Sequence, residues 1–442
     1  MTPRRLLVAC LLVSALAACG QATHESIPAG VGGSPGLPPP EQSLVPTVNA
    51  AKAVGWESHE VPLAAEGFEV DAFARNLKHP RWLYVLPNGD VLVAETNAPD
   101  RPDDAKGIKG WIAGKVMARA GATVPSANRI TLLRDANGDG RAELQVTLLD
   151  RLSSPFGMAL LGDRLYVANS DAIVAFPYRQ GDIRIDAPGT TLAALPAGTI
   201  NHHWTKSLLP SADGHTLYVG VGSNSNIAEN GMDKETNRAA ILAVDVATGR
   251  TRVFASGLRN PVGMAWQPQT GALWTVVNER DELGNDLVPD YLTSVRDGDF
   301  FGWPYSYFGP HLDPRIAPQR PDLVARARAP DYALGAHTAS LGLAFYDADA
   351  YPARYRGGAF IGQHGSWNRE PRSGYQVVFV PFAAGKPSGV MEPVLTAFLD
   401  EEGQARGRPV GVAVDKTGAL LVADDVGNIV WRLKAVRAKP TP

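Results

Sequence analysis

The sequence predicts an all-β chain folded as a six-bladed β-propeller, on three observations. One phrase (a short apolar segment, a polar turn, then an apolar strand) occurs six times. Turn pairs such as Asn-Gly and Asp-Gly sit between the apolar runs, a strong hairpin signal. The 442 residues include 45 Gly and 35 Pro, heavy punctuation for a helical fold. The copies stand at irregular intervals of roughly 50 to 80 residues, as blades with long loops would. Hydrophobic residues at 45% and charged residues at 20% make the chain globular. With 42 basic and 45 acidic residues the net charge is −3, which argues against nucleic acid as a partner.

In chain order, Arg4 and Arg5 precede an apolar run from Leu6 to Ala18. The run is shorter than the roughly 20 residues a membrane helix needs, and it reads as a secretory signal. Its end, Leu16-Ala17-Ala18-Cys19, resembles a bacterial lipobox, so residues 1–18 are expected to leave and Cys19 to carry lipid. That places the protein on the periplasmic side of a bacterial membrane, the outer membrane in this reading. The mature chain would then have no free thiol, since Cys10 leaves with the signal. Residues 19–58, with Gly32-Gly33 and Pro38-Pro39-Pro40, are expected to be an extended tether without a core. The propeller is expected over 59–437.

The six copies begin at Pro80, Pro155, Ser207, Pro261, Leu341 and Pro409, the fifth being the loosest. Small residues such as Gly220, Gly222 and Ala423 suit strands crowded about an axis. Phe68–Phe73 is expected to complete the last blade and close the ring, which removes its open edges.

Function in such a ring lives on loops at one mouth. Ile200-Asn201-His202-His203-Trp204 places two histidines beside an aromatic ring, and a near-neutral imidazole suits a general base toward a hydroxyl. Arg259 and Asn260 open the fourth repeat, Arg406 and Arg408 the sixth, and Arg369 follows the fifth. Ser223, Asn224 and Asn226 end the strand holding Gly222. Cations and amides converging with few carboxylates point to a polyanionic ligand.

These residues carry a resemblance to the glucose/sorbosone dehydrogenase family, over about residues 61 to 435. The phrases are Gly257-Leu258-Arg259-Asn260-Pro261 with Gly263, Phe301-Gly302-Trp303-Pro304, and the His203 segment feeding the Gly222 strand. The resemblance implies a periplasmic propeller that oxidises sugars with pyrroloquinoline quinone (PQQ) and calcium. It implies that His203 is the base, with hydride passing to the quinone, and that Arg259 stabilises developing negative charge. Asn260, Arg406 and Arg408 match cofactor contacts; Arg369 and Asn224 are further cofactor-side candidates. Glu279, Arg280 and Asp281 fall where backbone carbonyls hold calcium. Electrons would leave to a membrane quinone or a cytochrome.

Two departures separate this chain from the glucose-oxidising branch. The Asp that orients the catalytic His is replaced by Ser223 or Asn224, and the Glu279-Arg280 turn lacks that branch's Gly-Pro. The resemblance is therefore closer to the L-sorbosone type, with a sugar or sugar-derived aldehyde as substrate. Tyr305, Tyr307 and Phe308 are expected to pack between blades. Asp135–Glu143 matches the start of an EF-hand loop, but Val146 stands at position twelve, so a hairpin turn is expected. A calcium-dependent lactonase and a non-catalytic binding propeller are the alternatives; the lactonase expects axial carboxylates around a metal.

Overall fold

The computed structural model describes residues 30–41, 47–99 and 118–436. The expected signal and Cys19 lie outside the described residues. Six antiparallel sheets form the blades of a propeller. Blade 1 is built from Pro80–Val85, Val91–Glu95, Arg129–Arg134 and Leu144–Leu149, and blade 2 from Met158–Leu161, Arg164–Ala168, Ala172–Pro177 and Thr190–Ala194. Blade 3 is built from Lys206–Pro210, Thr216–Val221, Ala240–Asp245 and Thr251–Ser256. Blade 4 runs outward from Pro261–Trp266 through Leu273–Val277 and Pro289–Val295 to Tyr332–Ala336. Blade 5 uses Ser340–Phe345, Ala359–Gln363, Gln376–Val380 and Glu392–Thr396. Blade 6 uses Pro409–Val414, Leu420–Asp424 and Ile429–Ala435, and its outer strand is Phe68–Ala74.

The second strand of a blade packs on both faces, which is why Val91–Glu95 and Leu420–Asp424 are almost continuously apolar and wholly buried. The outer strand of blade 3, Thr251–Ser256, meets water over its first three residues. Ring closure is as expected: Val70 pairs with Leu433 and Ala72 with Trp431.

The glycines third in the inner strands of blades 4 and 5 have a packing cause. A Cβ on Gly263 of blade 4 would stand 2.7 Å from the Leu343 backbone nitrogen of blade 5, and one on Gly342 would stand 2.2 Å from the Val410 carbonyl of blade 6. Neighbouring inner strands thus touch backbone to backbone, which only glycine allows. Phe156, Trp204, Val262, Leu341 and Val410, with Trp82 against them, contribute one side chain per blade to an apolar plug on the axis.

For residues 30–41 and 47–58 the tether expectation is corrected. Val31 and Gly32 add a fifth strand to blade 4, and Leu63–Ala64 a fifth to blade 5. Between them the chain is pinned to four blades: Glu41 N–H donates to Leu283 O, Asn49 N–H to Trp367 O, Ala53 N–H to Arg119 O, and Val54 N–H to Ala405 O. Trp56 packs edge-on to Phe398 and Trp431 and donates to Asp424 at 2.7 Å. The Gly/Pro composition reflects a strap that follows an existing surface, not a free spacer. No helix among the described residues is long and apolar enough to cross a membrane.

Candidate active site

The second strands of the six blades all end at one mouth, and the residues just after them are Thr96, Asn169, Gly222, Asn278, His364 and Asp425. Gly222 is the residue that lets the site assemble. A Cβ there would stand 2.3 Å from Asn260 Oδ1 and 2.4 Å from His203 Cβ, so its absence brings the loop of blade 3 against the start of blade 4.

His203 Nδ1 lies 2.9 Å from the Ser223 carbonyl and 3.0 Å from Ser223 Oγ. A carbonyl only accepts, so Nδ1 carries the hydrogen and Nε2 is a bare lone pair. Burial and then the Arg259 cation hold the imidazole well below its usual range, so it is neutral at neutral pH. Of the two residues proposed to replace the orienting Asp, Ser223 is the one that meets the ring. Asn224 turns its amide to Ile200 O and accepts from Asn230, which braces the His203 loop.

Arg259 is buried and fully engaged. It donates to Glu279 O at 2.6 Å, to Asn278 Oδ1 at 3.2 Å, to Asn226 Oδ1 at 2.9 Å and to Asp281 at 3.3 Å. Asp281 also accepts from Asn368 and meets His337. Burial opposes its charge, yet His337 and Arg259 bring it down to about 2. The two long sequence phrases are one unit: Trp303 donates to Asn226 O, and its N–H to Gly257 O. Asn226 thereby holds both Arg259 and Trp303.

The remaining candidates are placed differently from one another. Arg408 donates to His364 O and Gly365 O and lies over the Tyr375 ring. Arg406 pairs with Glu60 of the strap, and Arg369 is tied to Asn285 O and Asp286. Both cations are spent on neighbouring segments. Arg280 is fully buried between Glu279 and Asp313 and donates to Pro304 O and Ser306 O, so its side chain is structural. The carbonyls of Glu279, Asp281 and Glu282 each accept from Arg259 or Arg315. The Asp281 carbonyl also accepts from Asn226, so calcium at this turn would use the second lone pairs of the Glu279 and Glu282 carbonyls and the Arg280 carbonyl, which has no donor among the described residues. Tyr307 and Phe308 are buried in a packing cluster.

Sequence reasoning missed Arg81, His364 and Asp425. Arg81 donates to Asp425 at 2.6 Å and lies 6.0 Å from the Trp204 ring centre, next to His203. Aligning the residue after each second strand would have exposed the ring containing His364 and Asp425.

The mouth suits a flat polyanion. Buried polar atoms there without a protein partner include Asn260 Oδ1, Asn368 Oδ1, His79 Nε2, Arg81 Nε and Asp425 Oδ1, groups that ordered water or a ligand normally answers. Guanidiniums at Arg81 and Arg408, which keep unspent N–H groups, suit the carboxylates of PQQ. Among the described residues, the only group of three carboxylates or histidines placed to hold a metal is Asp135, Asp139 and Glu143, in an outer hairpin of blade 1. Each of these already accepts a backbone N–H. Axial carboxylates of the kind a lactonase needs are not grouped at the mouth among the described residues.

A family model described as TrAA12-like matches residues 126–291 and 322–435. This chain belongs to the TrAA12-like family. A PQQ-dependent pyranose dehydrogenase of Coprinopsis cinerea is 24% identical to this family member over 436 residues, covering 84% of this chain and 54% of the relative. The chain thus spans about half the length of that curated relative. The holo PQQ domain of pyranose dehydrogenase from Coprinopsis cinerea superposes with a TM-score of 0.67 at 21% identity, covering 87% of this chain and 100% of that one. A calcium structure of a Trichoderma reesei family AA12 enzyme gives 0.68 at 19% identity, covering 88% and 99%. These structures share the propeller fold with this TrAA12-like chain.

Proposed function

We propose that this chain is a PQQ-dependent dehydrogenase that oxidises a sugar or sugar-derived aldehyde of the aldose or sorbosone type. The observation that carries the reading is His203: a neutral buried imidazole whose Nδ1–H is spent on Ser223 and whose Nε2 has no partner among the described residues. Nε2 takes the proton of the substrate hydroxyl. Arg259, clamped in place, offers positive charge where negative charge develops. Asn260, Arg408 and Arg81 bind and orient the planar cofactor through its carboxylates and carbonyls. PQQ, when bound, supplies the two-electron, hydride-accepting chemistry. Calcium accompanies PQQ in this reading, at the 279–281 turn. Its support is the family membership and the holo and calcium structures of the neighbours.

Electrons then pass to a membrane quinone or cytochrome, which suits a chain anchored through lipid on Cys19. Labelled palmitate should enter the wild type and not Cys19→Ser; equal labelling ends the anchor reading. The enzymatic reading is tested by titrating the apo protein with PQQ and calcium, then screening aldoses with a dye acceptor. Activity needing the cofactor and lost in His203→Ala supports it. Tight PQQ binding with no turnover on any sugar removes the dehydrogenase and leaves a binding propeller.

A further inference from the structure

Two of the residues that follow second strands meet across the seam between blades 5 and 6. His364 Nε2 lies 2.9 Å from Asp425 Oδ2. Arg81 of blade 1 donates to the same oxygen at 2.6 Å, and His79 Nε2 stands 3.5 Å from it. The oxidation outlined above gives the imidazole of this cluster no task.

Its tautomer follows from charge. Burial opposes ionisation of Asp425, but His364, His79 and Arg81 hold the carboxyl well below its usual range. A carboxylate accepts, so His364 Nε2 carries the hydrogen and Nδ1 is a bare lone pair. A carboxylate behind an imidazole stabilises its protonated form, a support that the Ser223 carbonyl and hydroxyl give His203 only weakly.

Two guanidiniums work against that support. Burial first and Arg408 second take His364 down to about 3, with Arg81 adding to them and Asp425 opposing. Both cations keep donors in reserve. Arg408 uses Nε and Nη2 on the carbonyls of His364 and Gly365, and Arg81 Nε is buried without a partner. A carboxylate that engages them cancels much of their field at the imidazole, so that Asp425 then works against burial alone.

We propose that His364 is a second proton-accepting imidazole of the mouth, and that its Nδ1 takes up a proton when a carboxylate-bearing ligand pairs with Arg81 and Arg408. The proposal rests on the reading of the mouth as a PQQ site, with PQQ as that ligand. The step is proton transfer alone: solvent or buffer gives the proton, Nδ1 receives it, and no bond to the ligand forms or breaks. The charged and titratable groups facing the imidazole are Asp425 and Arg408 of blade 6, and Arg81 and His79 of blade 1.

Calorimetry of PQQ binding to the full chain at pH 7, in two buffers of different ionisation enthalpy, counts the protons taken up. The expected result is uptake of about one proton per PQQ. It should vanish in His364→Gln, which keeps an N–H for Asp425, and persist in His79→Gln. Nitrogen NMR of labelled histidine should show a bare Nδ1 become protonated in the wild type, a readout independent of either variant's folding. PQQ binding without uptake, or uptake lost in His79→Gln and kept in His364→Gln, overturns the proposal and leaves the cofactor reading standing. No PQQ binding to the wild type overturns both.

Discussion

Gly222 and His203 are packed so closely that a methyl group on the glycine would stand 2.4 Å from the histidine Cβ. The same methyl would press on Asn260 Oδ1. Gly222→Ala should therefore displace the base from the start of blade 4. A shift of about 1 Å costs roughly 100-fold in rate, and overpacking costs about 1–3 kcal/mol of stability. Turnover with sugar and dye, beside a thermal melt, checks both; wild-type turnover would mean that His203 does not act from this position.

Ser223→Ala separates orientation by the carbonyl from orientation by the hydroxyl. Nδ1–H keeps its bond to Ser223 O at 2.9 Å when Oγ is removed. The expected fall in kcat is below about 10-fold, against roughly 100-fold to 10,000-fold for His203→Ala. Equal losses in the two variants would show that the hydroxyl, not the backbone, holds the ring.

Asp281 makes the protein acid-sensitive in a defined window. Its folded pKa of about 2 lies below the ordinary 3.8, so its contribution is complete above the ordinary value and is lost as pH falls through the folded one. The two values differ by somewhat under two units, which corresponds to about 2 kcal/mol. Denaturant melts of wild type and Asp281→Asn should differ most near neutral pH and converge toward pH 2. A constant difference across that range would show that the ionised carboxylate is not what His337 and Arg259 stabilise.

The strap makes its own contribution. Trp56→Ala removes two edge-on aromatic contacts and the donor to Asp424. The expected cost is about 3 kcal/mol, which in a chain of this size lowers Tm by roughly 4 °C. An unchanged Tm would mean that the segment before the first blade adds nothing to the fold.

Much of the ring was legible. Thr270-Gly271 and Thr417-Gly418 mark turns because the chemistry of a turn is local, and apolar runs such as Leu420–Ala423 mark strands buried on both faces. The closing pairing of Phe68–Ala74 with blade 6 was legible too, because five complete blades and a sixth lacking an edge leave one place for a spare strand. The strap was misread because Gly and Pro look alike in a free spacer and in a chain that follows a surface. The candidate site was half legible: His203, Arg259 and Asn260 lie in loops that are polar where packing would prefer apolar residues. Arg81, His364 and Asp425 carry no such local mark.

Blade number, strand phase and the closing strand were determined by the sequence by itself, because side-chain alternation and turn chemistry act over a few residues. Which side chains meet at the mouth was decided only by the tertiary structure. Arg81 and Asp425 are 344 positions apart and touch because ring closure sets blade 1 beside blade 6. Hydrogen bonds of that kind depend on distances of tenths of an ångström between blades, and no local pattern encodes them.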